Sequence, residues 1–335
     1  MLDWKVLVRF SEEQLSALDV AEVNLACAEG LPGAERINHA ECIDRLNHYA
    51  RSEKDYTERR MLDFYDKAEV YDGSEAKFRI VCMIRLLQRA FGIRYNPAKK
   101  PADAPFDAAD TFIHGALMGE GGTCASLPVI YAAVGRRLGY PLRLVEAKRH
   151  LFVRWDEPGG ERFNIEVNDR GADSPPDDYY RKGRYEISPW VEKSFCYLVS
   201  QTPRMELAGF LLQRGERWLE IGRYKEAAES FLWADSLAPH NKMYSFAAKQ
   251  AMEIWKKKMR EAMPPNAPEM TVQFPPCRRW PEAIPLGVEH FFMVFEAMEA
   301  CLKEPRHQEW WEALRRSKGV PPKDMPWKIE LRVKS

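Results

Sequence analysis

Between Gly121 and Asn168 the chain changes its hydrophobic period, and that change constrains the fold more than any other feature. Gly121, Gly122 and Thr123 lead into Cys124. The run CASLPVIYAAVGRRLG then sets Leu127, Ile130, Tyr131, Val134 and Leu138 at helical spacing, closed by Gly139 and Pro141. Beyond it the period falls to two. Leu142, Leu144 and the run LFVRW read as strands, and in RFNIEVN the residues Phe163, Ile165 and Val167 alternate with Asn164, Glu166 and Asn168. DEPGG between the last two strands is turn chemistry. The pattern predicts a buried helix opened by Cys124 and an antiparallel hairpin with one polar face, an α+β arrangement of helix on sheet. With a turn over 156–160, His150 lies directly opposite Glu166 on that face. A slip of one residue would put them on opposite faces.

The flanks read as helix. After a short strand-like start (VLVRF), amphipathic helices are predicted from Asp19 to Ala28, from Asn38 to Arg51 with Asn38 as N-cap, and from about Ser74 to Phe91 with Gly92 as stop. They form a support layer over residues 1–110, which ends in the proline-rich stretch 96–109; Asp110 then caps a short helix stopped by Gly119, at the start of a core over 111–200. From Thr202 the pattern is continuous helix. Leu211, Gly215, Trp218, Gly222, Tyr224, Ala227, Phe231, Ala234 and Pro239 fall at the spacing of a tetratricopeptide repeat, in which small residues let two helices approach and large ones fill the gap. A further helix from Met243 to Met263 would cover the open face of this 201–263 region. Residues 264–335 form a linker and tail, with seven prolines between 264 and 285, helices around 287–303 and 306–317, and WKIELRV alternating like an edge strand.

Charge and cysteine usage bear on the chemistry. Fifty basic and fifty acidic residues cancel, so no nucleic-acid partner is expected, and no anionic membrane surface. The opening residues carry acids where a secretory signal would carry bases, and nowhere do about 18 apolar residues run together, so a cytoplasmic protein is expected. Seven cysteines, at 27, 42, 82, 124, 196, 277 and 301, never form a C-x-x-C pair. Reduced thiols follow, and no set of His, Cys and acidic residues has metal-ligand spacing, so neither metal nor cofactor is expected.

A thiol at a helix N-terminus beside a histidine favours the thiolate, which makes Cys124 the candidate nucleophile. Gly122 and Thr123 before it belong to the same cleft, since glycine lets backbone approach a substrate and free helix amides can hold an oxyanion. His150, opening a strand with Glu166 on the next, supplies the base and its orienter. Asn164 and Asn168 on the same face are alternative orienters. Lys148 and Arg149 beside the histidine, and Asp177, Tyr179 and Tyr180 after the hairpin, are weaker candidates for the cleft, and His114 reads as a packing residue.

The stretch GGTCASLPVIYAAVGRRLGYPLRLVEAKRHLFVRW resembles the core of the transglutaminase-like superfamily, in which a Gly-x-Cys opens the central helix, a His begins a later strand and an acid follows on the next. DVAEVNLACAEGLPG, HAECIDRLNHYA, the IRYNP motif and the later repeat are similar to a bacterial subfamily that joins a helical layer, this core and C-terminal tetratricopeptide repeats. The resemblance implies a papain-like fold and a Cys-His-acid triad falling on Cys124, His150 and Glu166, with Glu in place of the commoner Asp. It implies hydrolysis, deamidation or acyl transfer on a protein or peptide amide. A non-catalytic scaffold, recruiting a peptide partner through the repeat region, is the alternative.

Overall fold

The computed structural model describes residues 2–262 apart from 36, 102–103 and 169–172, together with two short strands at Glu269–Val272 and Ile329–Arg332. The chain opens in a helix, not in the expected strand. In α1 (Trp4–Leu7) the Asp3 carboxylate caps the Lys5 amide, and Trp4, Leu7 and Val8 turn a common apolar side inward at helical spacing. After α2 (Glu12–Ser16), Asp19 caps α3 (Val20–Ala28), in which every residue but Glu22 is buried. Asn38 caps α4 (His39–Glu58), and α5 (Met61–Asp66) precedes α6 (Glu75–Arg89), capped by Ser74. α4 and α6 bury Leu46, Tyr49, Ile80, Met83 and Leu87 between them and the centre, which completes a helical layer.

The short helix expected from Asp110 is two: α7 (Ala108–Thr111) and α8 (Ile113–Leu117). The cap is Asp107, and Asp110 returns to the Asp107 amide at 3.0 Å from the third helical position, a reciprocal box that two aspartates three apart can build. The central helix α9 (Leu127–Arg137) is buried from Leu127 to Gly135, and a side chain on Gly135 would collide with Leu142 of the sheet. Helix and sheet meet there because glycine permits it.

Strands β1 (Leu142–Ala147), β2 (His150–Asp156) and β3 (Arg162–Ile165) form an antiparallel sheet in that order. The β2–β3 register differs from the predicted one by two residues. Val153 faces Ile165 and Asp156 faces Arg162, because Glu157 N–H bonds Glu161 at 3.0 Å and the turn is the three residues Pro158, Gly159 and Gly160. Proline followed by a glycine with φ of +73° is the chemistry of a tight turn. A two-residue shift keeps every side chain on its expected face.

Each face has its own core. Leu144, Leu151, Val153, Trp155 and Ile165 pack on the helices, whereas Val145, Ala147 and Phe152 pack beneath Tyr180, Tyr185, Tyr197 and Leu198. The polar face is therefore covered, by the segment carrying α10 (Asp177–Tyr180) and α11 (Pro189–Ser194). Arg154, 1% exposed, pins that cover. Its guanidinium donates to Asn164 Oδ1 (2.7 Å), Asp177 Oδ1 (2.6 Å) and the Leu198 carbonyl (3.0 Å). Arg154→Ala should cost about 3–5 kcal/mol, since it leaves the Leu198 carbonyl and Asn164 Oδ1 without this donor and the Asp177 charge without its cation, with only the Asn164 amide still bonded to it. Urea unfolding measures this, and an unchanged midpoint would show the clamp to be idle.

Helices α12 (Pro203–Glu220), α13 (Tyr224–Leu237) and α14 (Lys242–Ala262) follow. A side chain on Gly215 would meet the Phe231 ring at 2.3 Å, so the glycine sets the α12–α13 approach. On its other side α12 joins the same hydrophobic core as α3 and α9. Arg214 donates to the Cys27 and Glu29 carbonyls at 2.8 and 2.6 Å, and Arg136 pairs with the buried Glu206. Ile329–Arg332 is a strand, paired antiparallel with Glu269–Val272; the linker and helices expected elsewhere in 264–335 lie outside the described residues. Among the described residues no helix is long and apolar enough to cross a membrane.

Candidate active site

Cys124 lies in a turn over residues 124–126, with α9 starting at Leu127, three residues later than the expected helix start. The turn already has helical spacing, since Leu127 N–H bonds the Thr123 carbonyl at 3.0 Å. It is latched from below. The Thr123 and Ser126 hydroxyls both donate to the Asp110 carbonyl, at 2.7 and 3.0 Å, and the Asp110 carboxylate is held by Lys99 at 2.6 Å. Ser126 Oγ also accepts from the Thr123 amide, and Thr123 Oγ1 from the Ala125 amide. Among the described residues, the Cys124 amide alone of positions 123–125 takes no protein acceptor.

The glycines ahead of the turn serve packing more than substrate approach. Gly122 is buried, its amide and carbonyl bond Arg94 and Asn96 of the IRYNP stretch at 3.0 and 2.8 Å, and a side chain there would strike Leu127 at 2.4 Å. Gly121 has φ of +81° and sits against Asn96. Thr123 is likewise buried, a strut for the turn.

His150 is the first residue of β2, and a two-residue turn, Lys148–Arg149, delivers it. Arg149 takes a left-handed φ of +57°, uncommon for a side chain of its size, and its carbonyl lies 4.0 Å from Cys124 Sγ. His150 Nε2 is 2.7 Å from Glu166 Oε2. That contact places the proton on Nε2 and leaves the other ring nitrogen free to act on Cys124, which is close enough to help raise the basicity of the imidazole. Burial alone would lower the basicity of His150. The bonds to Cys124 and Glu166, with their charges, outweigh it and raise the imidazole from its ordinary 6.5 to about 9.

Glu166 is buried with four donors on two oxygens. Oε1 accepts from the Asn168 amide (3.1 Å) and side chain (2.6 Å), and Oε2 accepts from His150 and, at 3.3 Å, from the Tyr180 hydroxyl. Burial pushes this carboxyl up, yet the bonds from His150 and Asn168 hold it below its ordinary 4.5. With the observed register, Glu166 is two places off the residue that would face His150, so the pair is diagonal rather than direct. The longer reach of glutamate suits that offset.

The structure thus brings Cys124, His150 and Glu166 together and gives the remaining candidates other work. Asn168 holds Glu166 and not the histidine. Asn164 does not reach the site; it bonds Arg154, the Pro175 carbonyl and Asp177. Lys148 donates to the Glu186 carbonyl, and Asp177 belongs to the Arg154 clamp. His114 is buried 3.3 Å from the Gly33 carbonyl, as packing predicts. Tyr179 is half exposed, whereas Tyr180 is fully buried under the sheet. The other described cysteines are held as thiols by burial, which pushes Cys27 up to about 12 and Cys42 to about 11, and raises Cys82 and Cys196. Sequence reading missed the Asp110 latch and the rings around the imidazole, because their partners lie far along the chain. Among the described residues no group of three His, Cys, Asp or Glu side chains could hold a metal ion.

A family model described as the transglutaminase-like superfamily matches residues 38–207, just over half of the 335-residue chain. The match runs from the cap of α4 into α12 and contains all three residues of the site. No curated protein and no solved structure matches the chain.

Proposed function

Since the chain belongs to the transglutaminase-like superfamily, we propose that it is a thiol enzyme acting on protein or peptide amides through a thioester at Cys124. The observation that carries this reading is the imidazole of His150, held by the four-donor carboxylate of Glu166 and lying beside the Cys124 thiol, whose sulfur is 4.0 Å from the carbonyl of the preceding Arg149. In this mechanism the Cys124 sulfur, having passed its proton to His150, attacks the amide carbonyl carbon. The carbonyl π pair moves to oxygen, which the Cys124 amide is placed to receive. Collapse restores the carbonyl and breaks the C–N bond, and the imidazolium gives its proton to the departing amine or ammonia. Neutral His150 then takes a proton from the water or amine that attacks the thioester, and the thiolate leaves. Glu166 stays ionised throughout and orients the ring. Hydrolysis, deamidation and transfer differ only in the amide chosen and the acceptor.

Hydroxylamine converts a thioester into a hydroxamate, which supplies a test that needs no known substrate. Incubated with a mixed protein digest, the full chain should form hydroxamates, and the yield should fall as pH rises through about 9, where the imidazolium of His150 is lost. No hydroxamate at any pH, from a chain whose Cys124 and His150 are intact, would overturn the reading. A second role rests on α12–α14: the sequence from Leu211 to Pro239 has the spacing of a tetratricopeptide repeat, and the helix that follows it exposes Phe246 (57%) and Ile254 (38%). Those side chains support a peptide-recruiting face beside the enzyme.

A further inference from the structure

The imidazole of His150 is enclosed by aromatic rings that the reaction above does not use. Tyr185 lies 4.9 Å away, Tyr180 5.9 Å and Phe152 6.5 Å, centroid to centroid. Tyr180 is the member with two attachments. It is 0% exposed, its ring stacks on Phe152 at 4.2 Å and 3°, and its hydroxyl reaches Glu166 Oε2, the same oxygen that accepts from His150. A buried phenol needs a partner for its hydroxyl, and here that partner is Glu166. Burial and the neighbouring carboxylate keep the phenol protonated, so the hydroxyl donates.

Resting on the reading of Cys124 and His150 as nucleophile and proton carrier, we propose that Tyr180 is a positioning residue that fixes how strongly Glu166 holds the histidine. Two donors on one carboxylate oxygen compete for its charge. While Tyr180 takes part of it, the Glu166–His150 bond is weaker than it would otherwise be, and the imidazolium releases its proton more readily to the leaving amine. The titratable groups facing the ring are Cys124 from the turn before α9, Glu166 beyond β3, Tyr180 from α10 and Tyr185 after it.

Removing the hydroxyl while keeping the ring tests this. In the full chain, labelled with ¹⁵N-histidine and with His150 assigned by its disappearance in His150→Gln, Tyr180→Phe should raise the imidazole titration midpoint by about 0.5 unit. Tyr179→Phe, which alters a ring packed edge-on against Tyr180 at 5.1 Å, should leave it unmoved. Incorporation of 3-fluorotyrosine at position 180 keeps the hydroxyl and strengthens it as a donor, so its shift should be downward. This second substitution retains the buried group if the phenylalanine variant is poorly folded. A wild-type midpoint in both position-180 variants would overturn the role of Tyr180 while leaving the thiol–imidazole reading intact. A wild-type His150 with no titration step that responds to alkylation of Cys124 would instead sink that reading, and the tyrosine's role with it.

Discussion

Cys124→Ala is expected to leave the chain folded and to abolish thioester formation, a loss on the order of 10⁶-fold if chemistry limits the rate. The substitution deletes one sulfur from a partly exposed turn whose geometry is set elsewhere, by the Thr123 and Ser126 hydroxyls on the Asp110 carbonyl and by Gly122 against Leu127. Unfolding midpoints should therefore correspond to a change within about 0.5 kcal/mol. Labelling offers a direct view of the same residue. At pH 6, one equivalent of iodoacetamide should modify Cys124 ahead of Cys27, Cys42, Cys82 and Cys196, whose thiols burial holds in the protonated form. Peptide mass spectrometry reads the distribution. If the label instead spread over several cysteines, or if Cys124→Ala kept full hydroxamate yield, the nucleophile would lie elsewhere and the scaffold reading of the chain would gain.

The change of period at Cys124 made the core legible from sequence because helix and hairpin bury opposite kinds of pattern. One apolar stripe recurs every three or four residues, and the strands alternate. Face assignment was legible for the same reason, since His150, Arg154, Asn164 and Glu166 share a parity that survives any even shift of register. Register itself was not. It depends on whether the turn takes three residues or five, and DEPGG permits either until the Glu157–Glu161 bond is made. The latch beneath Cys124 was also hidden. Its acceptor is a backbone carbonyl, which carries no side-chain signature, and it lies 13 residues from Thr123. Tyr180 was visible only as one tyrosine of a loop; its position under His150 follows from the Arg154 clamp, which folds residues 175–200 over the sheet. In the N-terminal segment, alternation in VLVRF mimicked a strand over too few residues for the period to be decided, and the Asp3 cap decided it.

Glu166 is where charge and reach can be separated, and the two variants that separate them should differ in kind. Glu166→Gln keeps the length and an acceptor but removes the charge. The amide cannot balance an imidazolium, so the His150 midpoint should fall from about 9 toward its ordinary 6.5, and turnover should drop on the order of 10³–10⁴-fold. Its stability cost should depend on pH. An imidazole raised from 6.5 to about 9 on folding contributes stability that is complete below 6.5 and disappears as pH rises through about 9. The gap in unfolding free energy between wild type and Glu166→Gln should accordingly be widest at pH 6 and close by pH 10. Glu166→Asp keeps the charge but withdraws the carboxylate by one methylene, about 1.5 Å, from a histidine that is diagonal to it in the sheet. The family's commoner aspartate should thus be the poorer residue here, with a loss of about 10²-fold from misplacement. Its midpoint should lie between those of Glu166→Gln and wild type. An aspartate variant as active as wild type would mean that the strands can slide to a direct pairing and that the diagonal geometry does not govern the site. A glutamine variant with its His150 midpoint still near 9 would assign the imidazolium's stabilisation to Cys124 alone.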